Sequence, residues 1–64
     1  MFDIGDLVEI KTNVVIPAFA GSTGIITRKL RKNAKDNVSY YEVDIPAQGR
    51  HVLLERELTL LRKA

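Results

Sequence analysis

The 64-residue sequence predicts a single small domain of the all-β class. Two segments, "DLVEIK" and "VSYYEVDI", alternate apolar and polar residues with the period of two that is typical of a half-buried strand. A third, "GIITRKL", is rich in β-branched residues, and turn-forming residues separate the segments. These observations predict five strands, near residues 6–12, 24–30, 38–45, 50–54 and 58–61, that close into a small barrel.

The first strand follows Gly5-Asp6, a dipeptide that signals a turn. Val8 and Ile10 alternate with Leu7, Glu9 and Lys11 and are expected to face the core.

The second strand begins at Gly24, where a residue without Cβ allows another backbone to approach closely. Its alternation places Ile26 and Leu30 on one face. The polar segment "RKNAKDN" that follows is a loop by composition.

The third strand has the clearest pattern. Its apolar face carries Tyr41, Val43 and Ile45, and Tyr40 lies on the opposite face. Pro46 ends the strand, and "PAQG" has the length and composition of a hairpin turn that leads into a fourth strand, "RHVLL".

The C-terminal segment "VLLERELTLLRKA" has two interpretations. Leu54, Leu58 and Leu61 have the spacing of one helix face. The same residues also fit a strand, a tight turn at "ERE" and a last strand. We favour the second interpretation, because a fifth strand that pairs with the first protects an otherwise open sheet edge.

Composition restricts the classes of function. The chain has no cysteine, so disulfides and thiolate metal sites are excluded, and a single histidine, His51, argues against a zinc site. No apolar run is long enough for a membrane helix, and the acidic, alternating N-terminus is unlike a secretory signal. We therefore expect a cytoplasmic protein without a cofactor and without a membrane partner.

Positive charge is concentrated in one part of the chain. Five of the eight residues from 28 to 35 are basic: Arg28, Lys29, Arg31, Lys32 and Lys35. Such a patch can neutralise the phosphates of a nucleic acid, and Tyr40 and Phe19 are candidates for stacking on bases. The alternative is a solvated loop that protects the hairpin from aggregation.

An uncharged segment, "VVIPAFAGSTG", follows the first strand. A barrel this small cannot bury all of its apolar side chains, and exposed apolar patches mark contact surfaces. Val15, Ile16, Pro17 and Phe19 are therefore candidates for docking a protein partner or a second copy of the chain. Alternatively, Ile16 or Phe19 folds back to plug the barrel.

Catalysis has little support in the sequence. Nucleophilic catalysis needs a nucleophile within reach of a base, and His51 is expected to be a half-exposed strand residue. The carboxylate pairs Glu42/Asp44 and Glu55/Glu57 have the spacing of solvated strand faces. We expect a binding module and not an enzyme.

The order of elements resembles Src-homology-3-like (SH3-like) small barrels, which implies a single 3-10 turn before the last strand. Within it, "GDLVEIKTNVVIPAFAGSTGIITRKL" resembles the KOW motif, through Gly5, Asp6, Val8, Ile10, Gly21, Gly24 and Ile26. Ser22 and Thr23 occupy the place where KOW modules usually carry a basic residue. The resemblance implies binding to nucleic acid.

The second half, "YYEVDIPAQGRHVLLERELTLL", is similar to the closing half of other small barrels. These include the accessory subunit of photosystem I and the variable subunit of ferredoxin:thioredoxin reductase. This second resemblance implies an accessory or regulatory subunit that docks on a protein.

Overall fold

The computed structural model describes residues 1–11, 19–30 and 38–64. They form one antiparallel sheet of five strands in the order β4-β3-β2-β1-β5. The strands are β1 (Leu7–Ile10), β2 (Thr23–Leu30), β3 (Tyr40–Ile45), β4 (Gly49–Leu54) and β5 (Leu58–Arg62). A 3-10 turn (Glu55–Glu57) connects β4 to β5.

The all-β class and the order of elements are confirmed. The segment after residue 52 forms strand, turn and strand, so the helical interpretation of this segment is wrong. The last strand pairs with the first, with Ile10 opposite Leu58, as expected.

Among the described residues the sheet is not closed, so the predicted barrel is not confirmed. Strands β4 and β5 are the two edges of the sheet, and in the described residues no ladder joins them. Only the three residues of the 3-10 turn separate these edges along the chain, so the sheet must coil enough to bring the end of β4 near the start of β5.

The core lies on one face of this coiled sheet. Its buried apolar side chains come from every strand and from the segments before β1 and β2: Phe2, Val8, Ile10, Phe19, Ile26, Tyr41, Val43, Ile45, Leu53 and Leu58. The inward faces predicted for β1 and β3 are thereby confirmed. Removing this apolar surface from water is the main driving force for folding.

The face assignment at the end of β2 is corrected by a bulge. Ile26 pairs with Val43, but Arg28 pairs with Glu42, so Thr27 is an extra residue in β2. A bulge reverses the alternation beyond it. Leu30 therefore pairs with Tyr40 and lies on the outer face, opposite to Ile26.

Gly24 is required by the close packing of β2 against β3. An added Cβ would lie 2.6 Å from Cγ1 of Val43 and 2.7 Å from the carbonyl oxygen of Asp44. Both distances are shorter than van der Waals contact allows, so a side chain would push the two strands apart. The predicted close approach at this position is confirmed.

Across the described residues, no helix has the length and apolar character needed to span a bilayer.

Candidate functional site

The residues singled out from the sequence divide into two groups. Arg31, Lys32 and Lys35 of the basic patch, and Val15, Ile16 and Pro17 of the apolar segment, lie outside the described residues. Arg28, Lys29, Tyr40 and Phe19 lie within them.

Arg28 and Lys29 lie on opposite faces of β2. Arg28 is exposed and pairs in register with Glu42 on the outer face, without a salt bridge to it. Lys29 is opposite Tyr41 and reaches the N-terminal segment, where its Nζ lies 3.2 Å from Oδ1 of Asp3. The two neighbours therefore do not form one patch.

Tyr40 lies on the same outer face as Arg28. In register, its cross-strand neighbours are Leu30 on β2 and Leu54 on β4, and all three side chains are half-buried. An aromatic ring with apolar cross-strand neighbours is a side chain on which a base can stack.

Phe19 is buried, with only 7% of its surface exposed. Its ring packs on the imidazole of His51, with 4.4 Å between the ring centroids. The expectation that Phe19 stacks on a base or docks a partner is therefore corrected, since its ring plugs the core. The half-exposed position expected for His51 is confirmed.

The 3-10 turn anchors the described ends of both loops that carried the candidates. The backbone N–H of Lys11, where the first loop begins, donates to the carbonyl of Glu57 at 2.8 Å. The carbonyl of Ser39, near the end of the second loop, accepts from the N–H of Glu55 at 3.0 Å. The Glu57 carboxylate accepts from the Leu54 N–H at 2.9 Å and fixes the start of the turn.

A groove of about 410 Å³ lies beside this turn. Its lining has four apolar side chains, Phe2, Val38, Leu54 and Leu58, and three polar residues, Ser39, Glu55 and Arg56. Leu54 belongs both to this lining and to the outer row with Tyr40, so the groove and the Tyr40 surface are contiguous.

The polar groups at the groove differ in their partners. Oε1 of Glu55 accepts from the Tyr41 hydroxyl at 3.0 Å, and its Oε2 lies 3.5 Å from the Met1 amino group. The Tyr41 hydroxyl accepts from the N–H of Phe2, and burial raises the pKa of Tyr41. Arg56 is exposed, and its guanidinium has no partner among the described residues.

A second charged cluster, which we call the clasp, consists of Asp3, Asp6, Lys29 and Lys63. Asp3 lies within 3.2 Å of Lys29 Nζ and 3.1 Å of Lys63 Nζ. Asp6 is fully buried, and its carboxylate accepts from the backbone N–H groups of Asp3 at 2.9 Å and Ala64 at 2.8 Å. The clasp thus joins the N-terminal turn, β2 and the segment after β5.

These contacts stabilise the ionised forms of the clasp residues. Hydrogen bonds from the Asp3 and Ala64 amides hold the pKa of Asp6 below its ordinary value, despite burial. The ammonium groups of Lys63 and Lys29 lower the pKa of Asp3. The hydrogen bond to Asp3 is the main cause that raises the pKa of Lys63.

Sequence reasoning missed the clasp and the groove. The Gly5-Asp6 dipeptide indicated a turn, but nothing in its spacing indicated a buried carboxylate that binds a backbone N–H 58 positions away. Arg56 was treated only as part of a tight turn.

Net charge is a signal that the sequence did contain. Outside residues 31–37, seven basic residues balance seven acidic ones. Segment 31–37 has three basic residues and one acidic residue, so it accounts for the whole net charge of +2.

Within the described ranges, no three histidine or carboxylate side chains are grouped so that they could hold a metal ion. Comparisons of the chain with protein-family models, with curated proteins and with solved structures found no match.

Proposed function

We propose that this protein is a non-catalytic module that binds the phosphate backbone of RNA or DNA. The observation that carries the proposal is the charge distribution. The remainder of the chain is neutral, and the net positive charge is confined to the connection between β2 and β3. Arg31, Lys32 and Lys35 of this connection contact phosphates in the proposed complex.

The described residues at either end of this connection support the same function. Arg28, two residues before the end of β2, has an exposed guanidinium without a partner among the described residues. Tyr40 begins β3 and shares the outer face with Arg28. A cation for phosphates and an aromatic ring for a base thus lie on one face, and in the sequence they stand on either side of the basic connection.

The finer description of the fold is part of this proposal. We propose that the sheet forms an SH3-like small barrel resembling KOW domains. The pairing of β5 with β1 and the 3-10 turn between β4 and β5 support this architecture. The strong coiling needed to join the two sheet edges through three residues supports it as well.

The proposal is tested by measuring binding of a labelled oligonucleotide by fluorescence anisotropy as a function of salt. Each phosphate contact adds about 0.7 (single strand) to 0.9 (duplex) to the slope of log affinity against log salt. Replacing Arg31, Lys32 and Lys35 together with Gln is expected to lower this slope by roughly 2.

The matched control replaces Lys11, Arg50 and Arg62 with Gln. These three residues are exposed and lie outside the basic connection, so the control removes the same charge from the neutral part of the chain. The proposal fails if neither RNA nor DNA binds at low salt. It also fails if the control triple variant lowers affinity and slope as much as the test triple variant.

A protein-interaction or accessory-subunit role is the second candidate function. With Phe19 in the core, this role depends on Val15, Ile16 and Pro17 of the uncharged segment. Its test is a pull-down in which Val15→Ser and Ile16→Ser together abolish capture of a stable partner. Phe19 is left unchanged in this test, because substitution of a buried ring would disturb the fold.

A further inference from the structure

We propose, on the basis of the nucleic-acid function above, that the ligand is single-stranded. One unpaired base occupies the groove beside the 3-10 turn, a neighbouring base stacks on Tyr40, and Arg56 binds the phosphate between them. This inference goes beyond backbone binding, since it assigns a site for bases and excludes an intact duplex from that site.

The shape of the groove selects for an unpaired base. A volume of about 410 Å³ is in the range of clefts that take small organic groups. In a duplex, each base is stacked and paired, and proteins reach its edges only by inserting an element into a DNA groove. A concave site instead requires a base that projects from the strand.

The lining has the chemistry of a base site. Four of the seven lining residues are apolar, and this apolar lining can contact the face of a base. The Ser39 hydroxyl can donate or accept a hydrogen bond at the edge of the base. Because Glu55 is engaged by Tyr41 and by the Met1 amino group, the charge that remains unpaired at the groove is the cation of Arg56.

Charge complementarity distinguishes this ligand from an apolar peptide, which the same walls could bind. Arg56 at the groove and Arg28 on the adjoining outer face both lack partners among the described residues. The basic connection between β2 and β3 adds the net charge of the chain. An anionic strand with exposed bases satisfies both the apolar walls and the unpaired cations.

The groove and Tyr40 adjoin each other at Leu54, and this gives the proposed path of the nucleic-acid strand. Leu54 lines the groove and is also the cross-strand neighbour of Tyr40. Two successive bases can therefore lie on either side of one side chain, with their phosphate toward Arg56.

The test compares the affinity of the full chain for a short mixed-sequence single strand and for the duplex formed with its complement. The single strand is expected to bind roughly tenfold more tightly, which is the scale of one base–aromatic stack. Arg56→Gln and Val38→Glu are each expected to weaken single-strand binding, the latter by roughly tenfold, and to weaken duplex binding less.

Matched controls carry the same changes elsewhere. Arg50→Gln removes an exposed arginine at the far end of β4, and Leu61→Glu adds a carboxylate to an exposed position of β5. Neither control is expected to change single-strand affinity. Should Val38→Glu fail to fold, an NMR titration of the unchanged protein gives the same information, with the largest shifts expected at the amides of Ser39, Leu54 and Glu55.

The outcomes separate the two proposals. Equal affinity for single strand and duplex, with both groove variants silent and no shifts at the groove, overturns this inference and leaves backbone binding in place. Absence of any nucleic-acid binding overturns both. Binding of an apolar peptide in the groove without competition from the single strand also overturns the inference.

Discussion

The clasp and the groove differ in whether their charged side chains have partners. In the clasp, two carboxylates and two ammonium groups are all engaged with each other or with backbone N–H groups. At the groove, Glu55 is engaged, but Arg56 has no partner among the described residues. Both regions lie next to the N-terminal segment, since Asp3 belongs to the clasp and Phe2 to the groove.

This difference indicates which charges serve the fold and which are available to a ligand. A charge that is held by several partners in the free protein would have to give them up in order to bind something else. An unpaired, exposed guanidinium loses only water when it meets a phosphate. We therefore expect substitutions in the clasp to change stability, and substitutions at the groove to change binding.

The largest expected effect is that of Asp6→Asn. This change keeps the size of the side chain but removes the charge, and one amide oxygen cannot replace a carboxylate that accepts from both Asp3 and Ala64. Loss of a buried hydrogen-bond acceptor should lower the thermal midpoint by roughly 10 °C. The measurement is thermal unfolding followed by circular dichroism.

Asp44→Asn is the control for this change, because Asp44 is exposed on the outer face of β3. Its midpoint is expected to stay within about 2 °C of that of the unchanged protein. Equal midpoints for Asp6→Asn and Asp44→Asn would contradict the structural role given to the clasp.

The pH dependence of stability should also report on the Asp6 carboxylate. The folded-state pKa of Asp6 is lower than that of the unfolded chain, so its contribution is complete above the ordinary aspartate value of about 3.9. That contribution is lost as the pH falls below this value toward the lowered folded-state pKa. The urea midpoint should therefore decrease as the pH is lowered from neutral to about pH 3. The decrease should be smaller for Asp6→Asn than for the unchanged protein.

Substitutions of the two adjacent tyrosines compare the stability effect of a hydroxyl that has hydrogen-bond partners with that of one that has none among the described residues. Tyr41→Phe removes a buried hydroxyl that accepts from Phe2 and donates to Glu55, so it should destabilise the protein by about 1–2 kcal/mol. The hydroxyl of Tyr40 has no partner among the described residues, and Tyr40→Phe should be neutral in the same urea titration. A neutral Tyr41→Phe would show that its hydrogen bonds do not hold the N-terminal segment.

The sequence predicted elements better than it predicted sites. The richness in β-branched residues located β2, and the need to protect an open sheet edge favoured a fifth strand. Alternation located β1 and β3, because burial on one face requires the period of two. It failed at Leu30, since the extra residue at Thr27 reverses the pattern and leaves no local mark in the sequence. The buried state of Asp6 depends on a contact with Ala64, which is distant in sequence, so no spacing rule could find it.

Phe19 is a second residue whose role could not be predicted from local sequence. Its position in an uncharged loop is consistent both with a docking surface and with a plug for the core, and the sequence alone does not distinguish the two roles. The contact with His51 on β4 decides between them, and that contact exists only once β4 is placed in the sheet. Local patterns thus determine which residues form strands, while the role of a loop residue depends on tertiary packing.

The smallest expected effects come from Arg28 and Lys29, and they test the comparison most directly, because the two residues are adjacent and carry the same charge. Lys29 pairs with Asp3 in an exposed salt bridge, so Lys29→Gln should lower the stability only slightly and leave oligonucleotide binding unchanged. Arg28 lies on the outer face with Tyr40, so Arg28→Gln should leave stability unchanged and weaken binding by a few fold, with the salt slope lowered by roughly 0.7. Urea titration and anisotropy on both variants measure the two quantities. If both variants weaken binding equally, nucleic acid responds to total charge and not to the face of β2, and the distinction between engaged and unpaired charges does not govern recognition.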